Sequence, residues 1–513
     1  MLTLSSLLNR TVRLSGDQPA IIDSQARYTW NEFVQRVAKA AAVLQSMGIS
    51  QGQRFGIISH NSYRNAELMQ AGYWMGAIPV PINYRLAPPE IAFILNDAQC
   101  QLLVVEDTFL ELLQSPGLTA WTDKALLVAA VPNTSPLPQY ESLLSEATEQ
   151  DVYDCHEDDD AIIIYTGGTT GRPKGVRLSH RNIVTNALQL GWAVTPREDD
   201  VYLHVAPMFH SAEFLTNPFF LAGAAQAYLS KFSAQNVLQA IQDYGVTCTL
   251  LTPTMIVLLL QEPNFDTYDI SSLRQIMYGS APMAAQWTVK AMQRFPGVEF
   301  IQSYGLSETS PILTTLSMEA HQQAVDSSDL QLLHSVGRQL PGVDLKIVDN
   351  NGNEVPHGKP GEVVVRSPTV AKGYLNRPDA TAEAFRANWF FTGDIGCLDE
   401  RGYLYLLDRK KDLIITGSEL VFSLEVESVL YQHPKVLECA VVGVPDDTYG
   451  ESLLAAVVPK PGETLNEQEL IEFCRGKIGG YKIPRHYVFL EELPKSAMNK
   501  VLKVEIRRKY SGD

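Results

Sequence analysis

The chain has 513 residues, of which 45% are hydrophobic and 19% charged, with a formal net charge of −17. That length exceeds what one hydrophobic core organises and predicts about two to four domains. The composition is that of an ordinary globular protein, and the acidic balance argues against nucleic-acid binding as the main activity, because that needs a basic face.

From about residue 28 to 330, strand and helix patterns alternate, which predicts layered α/β architecture. Residues 55–59 read as a strand. A helix follows, capped by Asn61 or Ser62 and ending near Gly76, and 78–82 return to strand. Pro89 near a helix start leads residues 90–96, and 101–105 are again extended and apolar. The run 161–164, Ala-Ile-Ile-Ile, predicts a buried strand, with a loop rich in Gly and Thr behind it. Further strands at 201–205, 246–251, 276–278 and 299–302 have helices between them, so two successive α/β sheets are the simplest account.

Around residue 336 the pattern becomes a β-meander. Residues 345–348 and 361–365 alternate about the turns Asn350-Asn351-Gly352 and 357–361, a small barrel or sheet running to 403–407. The run Asp408-Arg409-Lys410-Lys411-Asp412 is a charged knot that no core is expected to hold. It predicts a hinge near Asp408 between a large domain, 1–407, and a small mobile α+β domain, 408–513. In the latter we expect a helix at 423–432, strands at 438–444 and 453–458, a helix near 466–474 and a lysine-rich end.

Cysteines stand at 100, 155, 248, 397, 439 and 474 with no C-x-x-C pair, which predicts free, mostly buried thiols. Residues 1–17 lack a signal-peptide pattern, and apolar runs such as 256–260 are far below the roughly 20 residues of a transmembrane helix. A cytoplasmic protein with no transmembrane segment is the expectation.

The chemistry centres on 165–175, Tyr-Thr-Gly-Gly-Thr-Thr-Gly-Arg-Pro-Lys-Gly. Gly167, Gly168 and Gly171 let the backbone wrap closely round an anion. Thr166, Thr169, Thr170 and Lys174 add hydroxyl and ammonium donors, a set suited to a triphosphate. It is not a Walker A loop, because Lys174 follows Pro173 and precedes Gly175.

This string resembles the phosphate loop of the adenylate-forming superfamily: acyl-CoA synthetases, luciferases and peptide-synthetase adenylation domains. Gly167 stands where that pattern usually has Ser. The resemblance extends, motif by motif, from the 83–86 region to Lys500. It implies a large AMP-binding domain of two α/β subdomains and a β-barrel-like sheet, followed by the mobile C-terminal domain.

The resemblance assigns roles residue by residue. In Tyr304-Gly305-Leu306-Ser307-Glu308 the Tyr would stack on adenine, Ser307 reach phosphate, and Glu308, with Thr170, hold Mg2+. A hard dication on phosphates suits a carboxylate. Gln302, Ser303, Gly279, Ser280, Ala281 and Pro282 would border adenine and the acyl group. Asp394, in Thr392-Gly393-Asp394, would accept both ribose hydroxyls, and Arg409 would contact ribose and phosphate with Lys411 nearby. Lys500 takes the place of the catalytic lysine, beside Asn499 where Gly is usual, and would neutralise two converging anions. His210, in Pro207-Met208-Phe209-His210, would orient the carboxylate or gate its site. Tyr278 and Met283 are the expected apolar lining. Gly417 and Ser418 lie in the bend that approaches pantetheine, with Ser418 and Leu420 replacing the usual Gly and Asn.

The implied activity is an AMP-forming acyl-CoA synthetase using ATP, Mg2+ and CoA on an apolar fatty or aryl acid. An adenylating ligase serving a free-standing carrier protein, and a non-catalytic nucleotide- or acyl-binding relative, are the alternatives.

Overall fold

The computed structural model describes residues 2–131, 134–167, 173–417, 419–495 and 501–511. The large domain carries two sheets built mainly of parallel strands. The smaller has four strands among the described residues, in the order Ile78–Pro81, Arg54–Ile58, Leu102–Glu106, Ala125–Val128. Helix Tyr63–Met75, which connects two of them, begins where the Ser62 hydroxyl accepts the Asn65 N–H and ends at Gly76 in the left-handed region, φ 72°.

The larger sheet has nine strands among the described residues. Its centre runs Glu299–Gly305, Gln275–Gly279, Cys248–Leu251, Val201–His204, Ala225–Tyr228, all parallel. Ile312–Leu316 and Arg338–Gln339 extend one edge antiparallel. The other edge is completed by Pro19–Ile22 and Arg27–Thr29, N-terminal strands that lie before the stretch where the alternation was expected to begin. Helices cover the sheet on both faces, and its apolar side chains fall into separate clusters on the two sides.

The predicted meander is a sheet of Asp344–Val348, Gly361–Arg366, Trp389–Leu398, Phe385–Arg386 and Leu404–Arg409. The small domain has its own sheet, from Ile414–Thr416 to His486–Phe489. Helix Ser423–Leu430 packs on one apolar cluster, and helix Lys503–Tyr510 packs on the other.

One expectation needs correction. The charged run 408–412 is not wholly solvated: Asp408 is 4% exposed and Asp412 9%. Asp408 Oδ1 accepts the Arg409 N–H at 2.8 Å, and Oδ2 accepts the Ser423 N–H at 2.5 Å, at the start of helix Ser423–Leu430. A helix N-terminus is a good home for a carboxylate, which is why burial is tolerated. The Gly/Thr loop follows the expected buried strand and joins it to a second: Asp160–Thr166 pairs antiparallel with Lys174–Ser179.

All six cysteines are free, and five are buried. Among the described residues no helix is long and apolar enough to cross a membrane.

Candidate active site

Strand order reverses around Val201–His204: the chain leaves it for Ala225–Tyr228 on one side and then crosses to Cys248–Leu251 on the other. The carboxyl ends of parallel strands at such a switch point form a ready crevice. Three of the sequence motifs start there. Segment 205–214 follows His204, 279–282 ends the strand Gln275–Gly279, and 304–308 ends Glu299–Gly305. Asn61 ties the smaller sheet to this edge, its amide donating to Ala206 O at 2.9 Å and accepting the Met208 N–H at 2.9 Å. Gly305 is required for the turn, because a Cβ there would lie 1.7 Å from the Pro311 carbonyl oxygen.

Side chains from distant parts of the chain meet at this edge in two chains of contacts. In the first, the buried Tyr304 hydroxyl donates to Asp394 Oδ2 at 2.7 Å, and Arg409 Nε pairs with Asp394 Oδ1 at 2.7 Å. Burial, and then the Asp394 charge, push the Tyr304 phenol well above its ordinary range, so it stays a donor. Burial works against the Arg409 cation, but Asp394 outweighs it and holds the guanidinium above its usual value. Antiparallel pairing of Asp394 with Arg409 across neighbouring strands fixes the pair.

In the second, Glu308 Oε1 accepts from the Tyr374 hydroxyl at 2.9 Å, and the Lys174 ammonium sits 5.0 Å from the centroid of the same ring. A strap, residues 368–375, makes this possible. It pairs beside Lys174–Ser179 through Leu375 N to Gly175 O at 2.8 Å and Arg177 N to Gly373 O at 3.0 Å. At its other end, Ala371 N donates to Glu308 O at 2.8 Å. Ser307, next to Glu308, exchanges a 2.8 Å hydrogen bond with Ser211, which joins the 205–214 segment to the same corner.

Tyr304, Ser307, Glu308, Lys174, Asp394 and Arg409 thus gather in one region by direct contacts. Gly279, Gln302, Ser303 and Gly305 line the strand ends beside them, where a Cβ on Gly279 would lie 2.3 Å from Ser303 O. Ser280, Ala281 and Pro282 are exposed at that edge, with Ser280 at φ 69°. Thr166 closes its strand opposite Lys174, and a Cβ on Gly167 would meet nothing within 4 Å. His210 is half-buried, its Nδ1 accepting the Ala212 N–H at 3.1 Å. Lys411 is exposed beyond the last strand of the meander sheet. The Gly417 N–H bonds to Tyr449 O at 2.8 Å within the small domain's sheet. Gly168, Thr169, Thr170, Gly171, Ser418 and Lys500 lie outside the described residues.

The expected lining is wrong at Tyr278 and Met283. Both pack in the cluster on the opposite face of the sheet, with Phe295 and Phe300. The Tyr278 hydroxyl meets His321 Nε2 at 2.7 Å, while His321 Nδ1 faces Ser317 O at 2.7 Å. Since Ser317 O only accepts, Nδ1 carries the proton and the phenol donates to Nε2. Met277, one position earlier, shares the cluster of Tyr304, Ala212 and Leu215. Sequence reasoning missed Met277 and Tyr374. The strand of Met277 is buried throughout and the Lys372-Gly373-Tyr374 segment reads as an ordinary turn, so neither carried a clear signal.

The fold and this corner define a nucleotide-binding enzyme of the adenylate-forming type. The chain belongs to the AMP-binding enzyme family, whose pattern matches residues 8–375, and the AMP-binding enzyme C-terminal domain matches 425–500. It is 33% identical to a feruloyl-CoA synthase from Amycolatopsis sp over 503 residues, 98% of each chain. It is likewise 33% identical to a 2-succinylbenzoate–CoA ligase from Bacillus cereus over 509 residues, 99% of each. Among solved structures, the amide bond synthetase McbA from Marinactinospora thermotolerans matches with a TM-score of 0.88 at 28% identity, covering 99% of both chains.

Proposed function

We propose that this enzyme is an AMP-forming carboxylate–CoA ligase acting on an apolar fatty or aryl acid. The convergence of Lys174, Glu308, Tyr304, Asp394 and Arg409 on one strand-end crevice is the observation that carries the reading. The named relatives, two of them CoA ligases of aryl-bearing acids, support the choice of substrate class.

In this reading a carboxylate oxygen of the acid attacks the α-phosphorus of ATP. A P–O bond forms, the bond to the β-phosphate oxygen breaks, and pyrophosphate leaves. The sulfur of CoA, as thiolate, then attacks the acyl carbon and AMP departs with the C–O electrons. Lys174, with the hydroxyl and N–H donors of 166–171, binds the phosphates. Asp394 accepts from the ribose hydroxyls, and Arg409 adds positive charge beside it. Tyr304 stacks on adenine, bordered by Gly279, Ser280, Ala281, Pro282, Gln302 and Ser303. Ser307 reaches phosphate, and His210 orients the carboxylate. Lys500 neutralises the two anions as they meet, with Lys411 near the nucleotide.

Among the described residues no group of three or more His, Cys, Asp or Glu side chains is placed to hold a metal by itself. Mg2+ takes one or two protein ligands and completes its shell with phosphate oxygens and water. Glu308 and Thr170 are the residues that would hold it, and it would offset phosphate charge. We place the hinge near Asp408, between 1–407 and 408–513, so that rotation withdraws Lys500 and brings Gly417 and Ser418 toward the thiol.

The test is AMP release from ATP across a panel of carboxylic acids, with and without CoA. Turnover that requires CoA and one class of apolar acid supports the proposal. Acyl-AMP that forms and passes to an amine or a carrier protein but not to CoA replaces the acceptor. No AMP with any acid refutes it.

A further inference from the structure

Lys174 and Glu308 come from different parts of the fold, one opening a hairpin strand and the other in the turn after a sheet strand. Left alone, an ammonium and a carboxylate in one crevice collapse into an ion pair, and neither is then free for a ligand. That has not happened here. Among the described residues Lys174 forms no salt bridge, and its ammonium lies over the Tyr374 ring instead. Glu308 has one oxygen taken by the hydroxyl of the same side chain.

Tyr374 itself is held firmly. Its N–H donates to Thr381 Oγ1 at 2.9 Å, its ring packs edge-on against Phe385 at 5.8 Å, and its backbone bridges to Val176. Gly373 allows the strap to pass, with φ at 127° and a Cβ that would lie 2.6 Å from Thr381.

We infer that Tyr374 is a positioning residue, holding Glu308 and Lys174 apart and presented for a magnesium-bound triphosphate; this rests on the adenylating function proposed above. The hydroxyl fixes the carboxylate plane by occupying Oε1 and leaves Oε2 for a metal ion. The ring gives Lys174 a weak resting place, which several phosphate charges readily outcompete. Tyr374 touches neither reacting atom. It acts through Lys174 and Glu308, which would bind the phosphates and the metal.

The experiment is calorimetric titration of ATP into the full chain, in Mg2+ and in EDTA, for wild type, Tyr374→Phe, Tyr374→Leu and Glu308→Gln. Tyr374→Phe keeps the ring and should weaken MgATP binding by about tenfold, the value of a hydrogen bond to a charged group. Metal-free ATP binding should stay within about twofold, because the Lys174 contact survives. Tyr374→Leu lets Lys174 reach Glu308 and should weaken both forms. In the Glu308→Gln background, Tyr374→Phe should have no further effect. Equal weakening of both forms by Tyr374→Phe, no weakening at all, or an undiminished effect beside Glu308→Gln overturns the inference. Wild type that binds no ATP in either condition would instead overturn the functional reading beneath it.

Discussion

At Asp394 and Glu308 the carboxylates are held by phenols and by a guanidinium that is 46% exposed. At Asp408 and Glu427, barely a domain boundary away, they are held by backbone N–H groups and a buried lysine. Glu427 Oε1 accepts the Val441 N–H at 2.7 Å and pairs with Lys503 at 2.7 Å. Lys503 also donates to Ser423 Oγ at 2.5 Å, and the Ser423 N–H is the one that Asp408 accepts. Burial opposes the Lys503 charge, yet Glu427 and Asp408 together hold its pKa above the ordinary value. At the first corner Glu308 has one oxygen hydrogen-bonded by a phenol, and the Lys174 cation rests over that phenol's ring. The second uses its charges up in fixing how helix Ser423–Leu430 and the segment after Lys500 meet the last strand of the large domain. Glu308 and Lys174, which would bind a ligand, are held by weak or single contacts, whereas the groups that fix the domain junction are saturated.

Lys503→Met should break the saturated corner hardest, since it leaves Glu427 buried without its partner. A loss of about 3–5 kcal/mol in urea unfolding is expected, most of it recovered when Glu427→Gln is added. A loss below about 1 kcal/mol would mean that this corner is solvated in practice.

Acid should act next, and on the large domain. Burial draws His321 and His180 down to about 4 in the folded chain from 6.5. Both are neutral when folded, so the unfolded state binds more protons between pH 6.5 and 4, and stability falls as pH drops through that window. Each contributes about 3 kcal/mol by pH 4. Urea midpoints at pH 7, 5.5 and 4 should show this fall, reduced in His321→Gln; a flat profile contradicts the assignment.

At the crevice, Tyr304→Phe removes the donor to Asp394 and should cost about 2 kcal/mol of stability. Arg409→Met should sharpen the contrast most. Arg409 is 46% exposed and the Tyr304 donor to the buried Asp394 remains, so folding should lose about 1–2 kcal/mol, while ATP-dependent turnover should drop by tenfold or more. Equal damage to folding and activity would erase the distinction between the two corners.

Much of this was legible in the chain. Ser62 and Gly76 announced the ends of helix Tyr63–Met75, and the Gly/Thr string and the Tyr304–Glu308 motif pointed to phosphate and nucleotide. What was not legible depended on contacts far apart in sequence. A strand buried on both faces is apolar throughout, so Tyr278 and Met277 could not be assigned to a side until the helices were in place. Asp408 looked solvated because its acceptor role depends on a helix start fifteen residues later. Tyr374 was invisible as a site residue because the strap that carries it reads as an ordinary turn between a strand and a helix.

The central claim, that this crevice makes an acyl adenylate, is tested most directly by exchange of labelled pyrophosphate into ATP without CoA. The account predicts exchange that depends on an apolar carboxylic acid and is abolished in Lys500→Ala. Exchange that needs no acid, or ATP binding with no exchange under any acid, would contradict it.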